Sequence, residues 1–64
     1  MDNQKILTDL FYQLTDFTRA DVEWVECRDA LNYDLDFTIL RVKLKDGRHY
    51  EVMNQFGTVH LTEI

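Results

Sequence analysis

The side chains that could perform covalent or metal chemistry are few in this sequence. It contains one cysteine, Cys27, two histidines, His49 and His60, and no serine. Without serine the usual acyl-transfer triad is missing, and two glycines ten residues apart cannot form a glycine-rich phosphate loop. A single cysteine in a β-rich segment is more often a small core side chain than a nucleophile. We therefore predict that the protein is not an enzyme and uses no cofactor.

His49, Glu51 and His60 come closest to a metal-binding set. Alternation along the predicted strands puts all three on the outer face of a sheet, and three such groups can hold a metal. The predicted register places His49 near the end of the sheet and His60 opposite Met53, so the two imidazoles are not neighbours. We predict exposed strand histidines and no metal site.

Carboxylates are the most abundant functional groups, and they are unevenly placed. The net charge is −5, and residues 16–36 contain seven acids against two bases. An acidic surface is repelled by nucleic acid and by anionic membranes, and it is attracted to basic proteins. Carboxylates two residues apart on a strand, such as Asp21 and Glu23, lie about 6.6 Å apart on one face, so a row of them imitates part of a phosphate track. The residues predicted to contact a partner are Asp9, Asp16, Asp21, Glu23, Glu26, Asp29, Asp34 and Asp36.

The elements that position these acids begin with a helix. Six apolar side chains recur at helical spacing within an arc of about 140°: Ile6, Leu7, Leu10, Phe11, Leu14 and Phe17. This pattern predicts a helix over residues 3–18 with one core-facing stripe. Asp2, Asp9 and Asp16 are spaced by seven and form a second stripe on its solvent-facing flank.

Four segments after the helix are rich in β-forming residues: 21–28, 37–45, 48–54 and 59–63. Residues 29–36 between the first two predict a loop. In the first strand two pairs of side chains, Val22 with Trp24 and Val25 with Cys27, compete for the buried face, so its orientation stays open. Trp24 is either an interface anchor within the acidic segment or, as its size favours, a core side chain.

The turn at Lys45-Asp46-Gly47 fixes the register of the following strands. A two-residue loop would set Glu51 against Val42 in the core. A three-residue loop instead puts the glycine in the left-handed position of a type I turn plus bulge, and we predict this loop. The pairs that follow are Leu44 with Arg48, Val42 with Tyr50, Leu40 with Val52, Ile39 with Met53 and, across the turn at 55–58, Asn54 with Val59 and Val52 with Leu61.

These elements predict one α+β domain over residues 1–64, with an N-terminal helix packed on one face of a small antiparallel sheet (α-β-β-β-β). The sheet has four strands, or three if residues 21–28 do not pair. One cysteine permits no internal disulfide, which indicates a reducing compartment and hence the cytoplasm. No apolar run approaches the roughly 20 residues that span a bilayer. A monomer is expected, although a free edge strand or the outer-face pair Ile39 and Met53 would support a dimer.

As a whole the chain resembles the small acidic inhibitors that bacteriophages encode, in particular anti-CRISPR proteins that act as DNA mimics. The likeness is one of class: 64 residues, one helix with a small sheet, no cofactor motif, and acids concentrated between Asp16 and Asp36. No sequence motif is matched, so no residue role is carried over. The resemblance implies a protein of the bacterial host cytoplasm that covers the basic DNA-binding surface of a CRISPR effector or other nucleic-acid-handling complex and excludes DNA.

A different class of function fits the same residues. The alternative is a small cytosolic interaction or assembly module that uses an edge strand or the outer-face apolar pair. In that case the acids only keep the protein in solution. Salt separates the two hypotheses, because contact through charge weakens steeply with ionic strength and edge pairing does not.

Overall fold

The computed structural model describes residues 3–28 and 38–64. Its elements are α1 (Asn3–Leu14), a 3₁₀ helix (Arg19–Asp21), β1 (Val22–Arg28), β2 (Ile39–Leu44), β3 (His49–Gln55) and β4 (Thr58–Glu63). The strands form one antiparallel sheet in the order β1-β2-β3-β4, so the predicted α-β-β-β-β fold is confirmed with all four strands. The predicted loop at 29–36 lies outside the described residues. No helix in the described part of the chain is long and apolar enough to cross a bilayer.

The core lies between α1 and the inner face of the sheet. Phe11 is its largest side chain, and the ring lies 5.7 Å from Tyr12, 6.0 Å from Phe17 and 5.9 Å from Tyr50, centroid to centroid. Full burial of one such side chain contributes about 1.5–3 kcal/mol. The buried apolar side chains of the described residues are Leu7 and Phe11 from α1 and Leu40, Val42, Leu44 and Val52 from β2 and β3.

The helix ends at Leu14, four residues before the predicted end at residue 18. The Thr15 hydroxyl donates to the Phe11 carbonyl at 2.7 Å and accepts from the Phe17 amide at 3.4 Å. A threonine side chain that bonds the main chain in this way competes with the helical ladder. The prediction that Leu14 belongs to the buried stripe is therefore wrong, since at the frayed end of α1 this side chain is 52% exposed.

The predicted three-residue turn between β2 and β3 is confirmed. The Leu44 amide donates to the Arg48 carbonyl at 2.9 Å, the Gly47 amide donates to the Leu44 carbonyl at 3.0 Å, and Gly47 has φ +96°. The Asp46 carboxylate accepts from the Arg48 amide at 3.0 Å and from its guanidinium Nε at 2.8 Å. These hydrogen bonds to Arg48 lower the pKa of the Asp46 carboxyl.

The second hairpin also follows the predicted register. Phe56 and Gly57 form its loop with φ of 49° and 83°, the left-handed pair that a type I′ turn requires. The turn brings Asn54 opposite Val59, and Val52 opposite Leu61. In the first hairpin Ile39 pairs with Met53 on the outer face as predicted, and both side chains are half-buried.

β1 contains a β-bulge that the sequence pattern did not reveal. Val22 pairs with Leu44 and Trp24 pairs with Lys43, so Glu23 is an extra residue between the two pairs. A bulge of this kind resets the alternation of side chains by one position. Val22, from one of the two competing pairs, therefore lies on the same face as Val25 and Cys27, which form the other pair.

The bulge directs Val22, Val25 and Cys27 together toward α1, where all three pack against the core. Trp24 turns to the outer face instead. It is 40% exposed, and its ring lies 6.0 Å from the ring of His49. The preference for Trp24 as a core side chain is therefore wrong, because three smaller side chains of the same strand fill the inner face.

Candidate functional site

A groove lies between α1 and β1, which is an edge strand of the sheet. Its volume is about 560 Å³, within the range of protein sites that bind ligands. Three elements supply its lining, and the residues are Gln4, Lys5, Thr8, Asp9, Tyr12, Arg19, Val22, Trp24 and Val25. We refer to this feature as the α1–β1 groove.

The floor of the α1–β1 groove is apolar. Val22 and Val25 are half-buried and pack against the core from β1. On α1, Thr8 and Tyr12 lie about 100° and 140° round the helix axis from the buried Leu7, on the side that faces β1. The groove therefore continues the hydrophobic core to the surface.

The main chain of β1 has hydrogen-bonding groups that point out of the sheet at the edge beside this groove. The Leu44 amide donates to Arg48 across the hairpin, so Leu44 faces β3 and, by alternation, Arg41 faces β1. Arg41 pairs with Glu26. The N–H and C=O of the neighbouring Val25 consequently point away from β2. An edge strand with this geometry beside a helix is a surface to which an extended segment can add.

Charged side chains rim the groove. Lys5 and Asp9 come from α1 and Arg19 comes from the 3₁₀ helix, and all three are exposed. Two bases and one acid give the rim a positive balance, although the whole chain carries −5. The groove is thus distinct in charge from the acidic segment that the sequence singles out.

Four of the acids predicted to contact a partner lie on the β1 side of the molecule. Asp9 borders the α1–β1 groove, Asp21 precedes β1, and Glu23 and Glu26 belong to β1. Asp16 is exposed beyond the end of α1. The predicted stripe of acids spaced by seven residues therefore does not continue along one helix. The remaining three lie outside the described residues: Asp29, Asp34 and Asp36.

The predicted carboxylate row of Asp21 and Glu23 is not formed. Asp21 ends the 3₁₀ helix rather than starting a strand, and its Oδ2 accepts from the Thr18 amide at 2.8 Å. Glu23 occupies the bulge, and its carboxylate lies 3.5 Å from the Lys43 ammonium. The two carboxylates therefore serve a local cap and a surface ion pair, because the strand begins one residue later than predicted and bulges immediately.

Glu26 also has a partner of opposite charge. Its carboxylate lies 3.5 Å from Nε of Arg28 on the outer face of β1. The described residues contain eight acids and seven bases in all, and the other four acids lie at positions 2, 29, 34 and 36. In the described part of the chain, charge is nearly balanced and largely paired along β1.

The groups singled out for chemistry are not brought together. Cys27 faces inward and packs against the core. His49 contacts Trp24, whereas His60 pairs with Met53 on the far side of the sheet. Within residues 3–28 and 38–64, no three His, Cys, Asp or Glu side chains are grouped so that they could hold a metal ion.

Comparisons with protein-family models, curated proteins and solved structures return no match to this chain. The candidate site is therefore defined by geometry. Sequence reasoning missed the groove residues Thr8, Tyr12 and Arg19. A signal for Thr8 and Tyr12 was present in the helix, since they are uncharged residues four apart beside the apolar stripe.

Proposed function

We propose that the protein acts by binding an extended segment of another protein in the α1–β1 groove. The observation that carries this proposal is the combination of an apolar-floored groove of about 560 Å³ with the outward-facing main chain at Val25. An extended segment uses both features, because its backbone pairs with the edge strand and alternate side chains enter the groove. A compact small molecule would use only the cavity.

The lining defines the chemistry of the segment. Val22, Val25 and Tyr12 favour an apolar side chain that enters the groove. Arg19 at the rim favours a carboxylate beside that apolar side chain, since guanidinium groups bind carboxylates with good geometry. The bound segment is thus an extended stretch that carries both an apolar and an acidic residue.

Filling the groove should abolish this binding. We expect Thr8→Trp to weaken binding of a selected peptide at least tenfold, about 1.4 kcal/mol, because an indole at this half-buried position occupies the space of the ligand side chain. Peptides are selected from a displayed random library against the wild-type protein, and their affinities are then measured by calorimetry.

The matched control for Thr8→Trp is Gln13→Trp, which adds the same indole at an exposed position of α1 that does not line the groove. It should bind the selected peptides as the wild type does. Equal binding by Thr8→Trp and the wild type would contradict the groove as the site, as would a selection that enriches no extended apolar-acidic sequence.

A second candidate is favoured by the charge of residues 16–36, which hold seven acids against two bases. In this proposal the protein is an acidic inhibitor that covers the basic DNA-binding surface of a CRISPR effector or another nucleic-acid-handling complex. Asp9, Asp16, Asp21, Glu23 and Glu26 are the described contributors. Such an inhibitor displaces DNA from its target, and the displacement weakens steeply with added salt.

Charge reversal tests the inhibitor. We expect Glu23→Lys combined with Glu26→Lys to weaken displacement of DNA from a nucleic-acid-binding protein that the wild type inhibits. The displacement is measured by fluorescence anisotropy of labelled DNA. The control is Glu51→Lys combined with Glu63→Lys, which makes the same change of net charge on β3 and β4. Equal loss in both double variants would indicate that only net charge matters, and no loss in either would exclude the acidic surface.

A further inference from the structure

β4 is the second edge of the sheet, and it lacks the features that protect an edge strand from pairing with an identical strand. Along β1 a bulge and the charged residues Glu23, Glu26 and Arg28 discourage contact between like edges. β4 pairs with β3 without a bulge from Thr58 to Glu63, and Glu63 at its end is its only charged residue. A regular, nearly uncharged edge is a template for another strand.

The hydrogen-bonding groups available on β4 follow from one contact. The Ile64 amide donates to the His49 carbonyl at 2.9 Å, so Ile64 faces β3. By alternation Thr62 and His60 face β3 too, and the N–H and C=O groups of Val59, Leu61 and Glu63 point out of the sheet. Three residues of β4 therefore present donors and acceptors to an incoming strand.

An apolar surface accompanies this edge. Val59 and Leu61 on the inner face of β4 are only half-buried. Leu10 lies about 60° round α1 from Leu7, on the side away from the α1–β1 groove, and so faces β4. Leu14 at the end of α1 and Ile64 directly after β4 are 52% and 67% exposed. α1 thus leaves the β4 margin of the inner face partly uncovered.

The geometry points to a second copy of this chain as the occupant of this edge. The two β4 strands pair antiparallel about a two-fold axis through His60, and the two sheets join into one of eight strands. A two-fold interface requires a surface that is complementary to itself. The backbone groups, the side chains and the charges of β4 each meet that requirement.

The register follows from the outward-facing residues. With His60 opposite the partner's His60, Val59 pairs with the partner's Leu61, and both have their N–H and C=O directed at each other. Their side chains lie on the same inner face as both helices, so the exposed apolar margins meet. Moving the axis to Leu61 would set Val59 against the partner's Glu63, and moving it to Val59 would shorten the paired stretch.

The charges of this register explain why β4 and not β1 pairs with itself. Across β4 the facing pairs are Thr58 with the partner's Thr62 and His60 with the partner's His60, so no two carboxylates meet. A two-fold pairing of β1 about Glu26 would bring Glu26 against the partner's Glu26, and a pairing about Val25 would set the bulge residue Glu23 against the partner's Cys27. A pairing about Cys27 would shorten the paired stretch within β1 to three residues, Glu26 to Arg28.

Sedimentation equilibrium near pH 8 tests the dimer and its register together. The wild type should sediment at twice its 7.7 kDa mass at high micromolar concentration. His60→Glu should raise the dimer dissociation constant about fivefold or more, because the two new carboxylates face each other at the axis. Thr58→Glu places the same charge on the same strand opposite the partner's Thr62, and its dissociation constant should stay near the wild-type value.

Mixing provides the measurement that misfolding cannot imitate. His60→Glu and His60→Lys should each associate weakly alone, and an equimolar mixture should form the dimer, since opposite charges then face each other across the axis. A wild type that remains monomeric would overturn the proposal and leave β4 to a strand of another protein. Equal weakening by Thr58→Glu and His60→Glu, or no recovery on mixing, would overturn the register.

Discussion

Phe11→Ala is expected to remove a large part of the protein's free energy of unfolding at 25 °C. The side chain is fully buried, and its ring contacts Tyr12, Phe17 and Tyr50. Truncation of a buried phenylalanine costs about 3–5 kcal/mol, whereas a chain of 64 residues has a total stability of roughly 3–10 kcal/mol. Urea unfolding, monitored by circular dichroism, gives the free energy of unfolding of the wild type and of the Phe11→Ala variant.

The control for Phe11→Ala is Leu14→Ala, an apolar truncation three residues further along the same helix. Leu14 is 52% exposed, and a substitution outside the core should cost less than about 1 kcal/mol. The comparison is made at low micromolar protein, where association does not contribute to the measured stability. Similar losses at both positions would mean that α1 is held by its whole apolar stripe rather than by Leu7 and Phe11.

Strand register was predictable where a turn and an alternating pattern agree. Gly47 fits only one position of the first hairpin loop, and the alternative loop would bury Glu51 against Val42. Each side chain of β2, β3 and β4 then falls on the face predicted for it. Local turn chemistry and burial select the same pairing, so the sequence contains enough information.

The first strand was harder to predict, because its pattern is the sum of two frames. Val22 belongs to one alternation and Val25 with Cys27 to the other, and the single residue Glu23 connects them. A bulge has no residue signature of its own here, since glutamate is as compatible with a regular strand as with a bulge. The short 3₁₀ helix before β1 was missed for a related reason, as its cap depends on Asp21 turning back to Thr18.

Charge counted along the chain gave an incomplete view of the candidate site. Residues 16–36 are acidic in sequence, yet the folded chain pairs Glu23 with Lys43 from the neighbouring strand and sets Arg19 beside the α1–β1 groove. Contacts between distant positions decide which charges remain available to a partner. The groove itself depends on α1 and β1 lying side by side, which no single segment specifies.

The two sheet edges have complementary properties that fit the two proposals. β1 carries a bulge and charges that discourage self-pairing, and it borders the groove. β4 is regular and nearly uncharged. A dimer joined through β4 would place the two grooves at opposite ends of one continuous sheet. Two linked sites bind a partner with repeated segments more tightly than either site alone, provided that the spacing of the segments allows both to bind.

Deletion of Glu23 is expected to leave the fold intact. Without this residue Val22 still pairs with Leu44 and Trp24 with Lys43, so the bulge disappears while every side chain keeps its face. The lost ion pair with Lys43 is exposed and contributes about 0–1 kcal/mol. We expect a change in unfolding free energy of at most about 1 kcal/mol, and a greater tendency to associate through β1, because a regular edge strand pairs more readily.

Deletion of Glu26, a glutamate of the same strand, should have a much larger effect. With Cys27 kept opposite Leu40, the chain absorbs this deletion by losing the bulge, and Trp24 then moves into the inward position of Val25 opposite Val42. An indole in the space of an isopropyl group overpacks the core at a cost of about 1–3 kcal/mol or more, and Val25 is turned out to solvent. Comparable stabilities for the two deletions, measured by urea unfolding, would show that β1 has no fixed register. A marked loss for the Glu26 deletion alone identifies Glu23 as the extra residue of β1, which can be removed without changing the face of any other side chain.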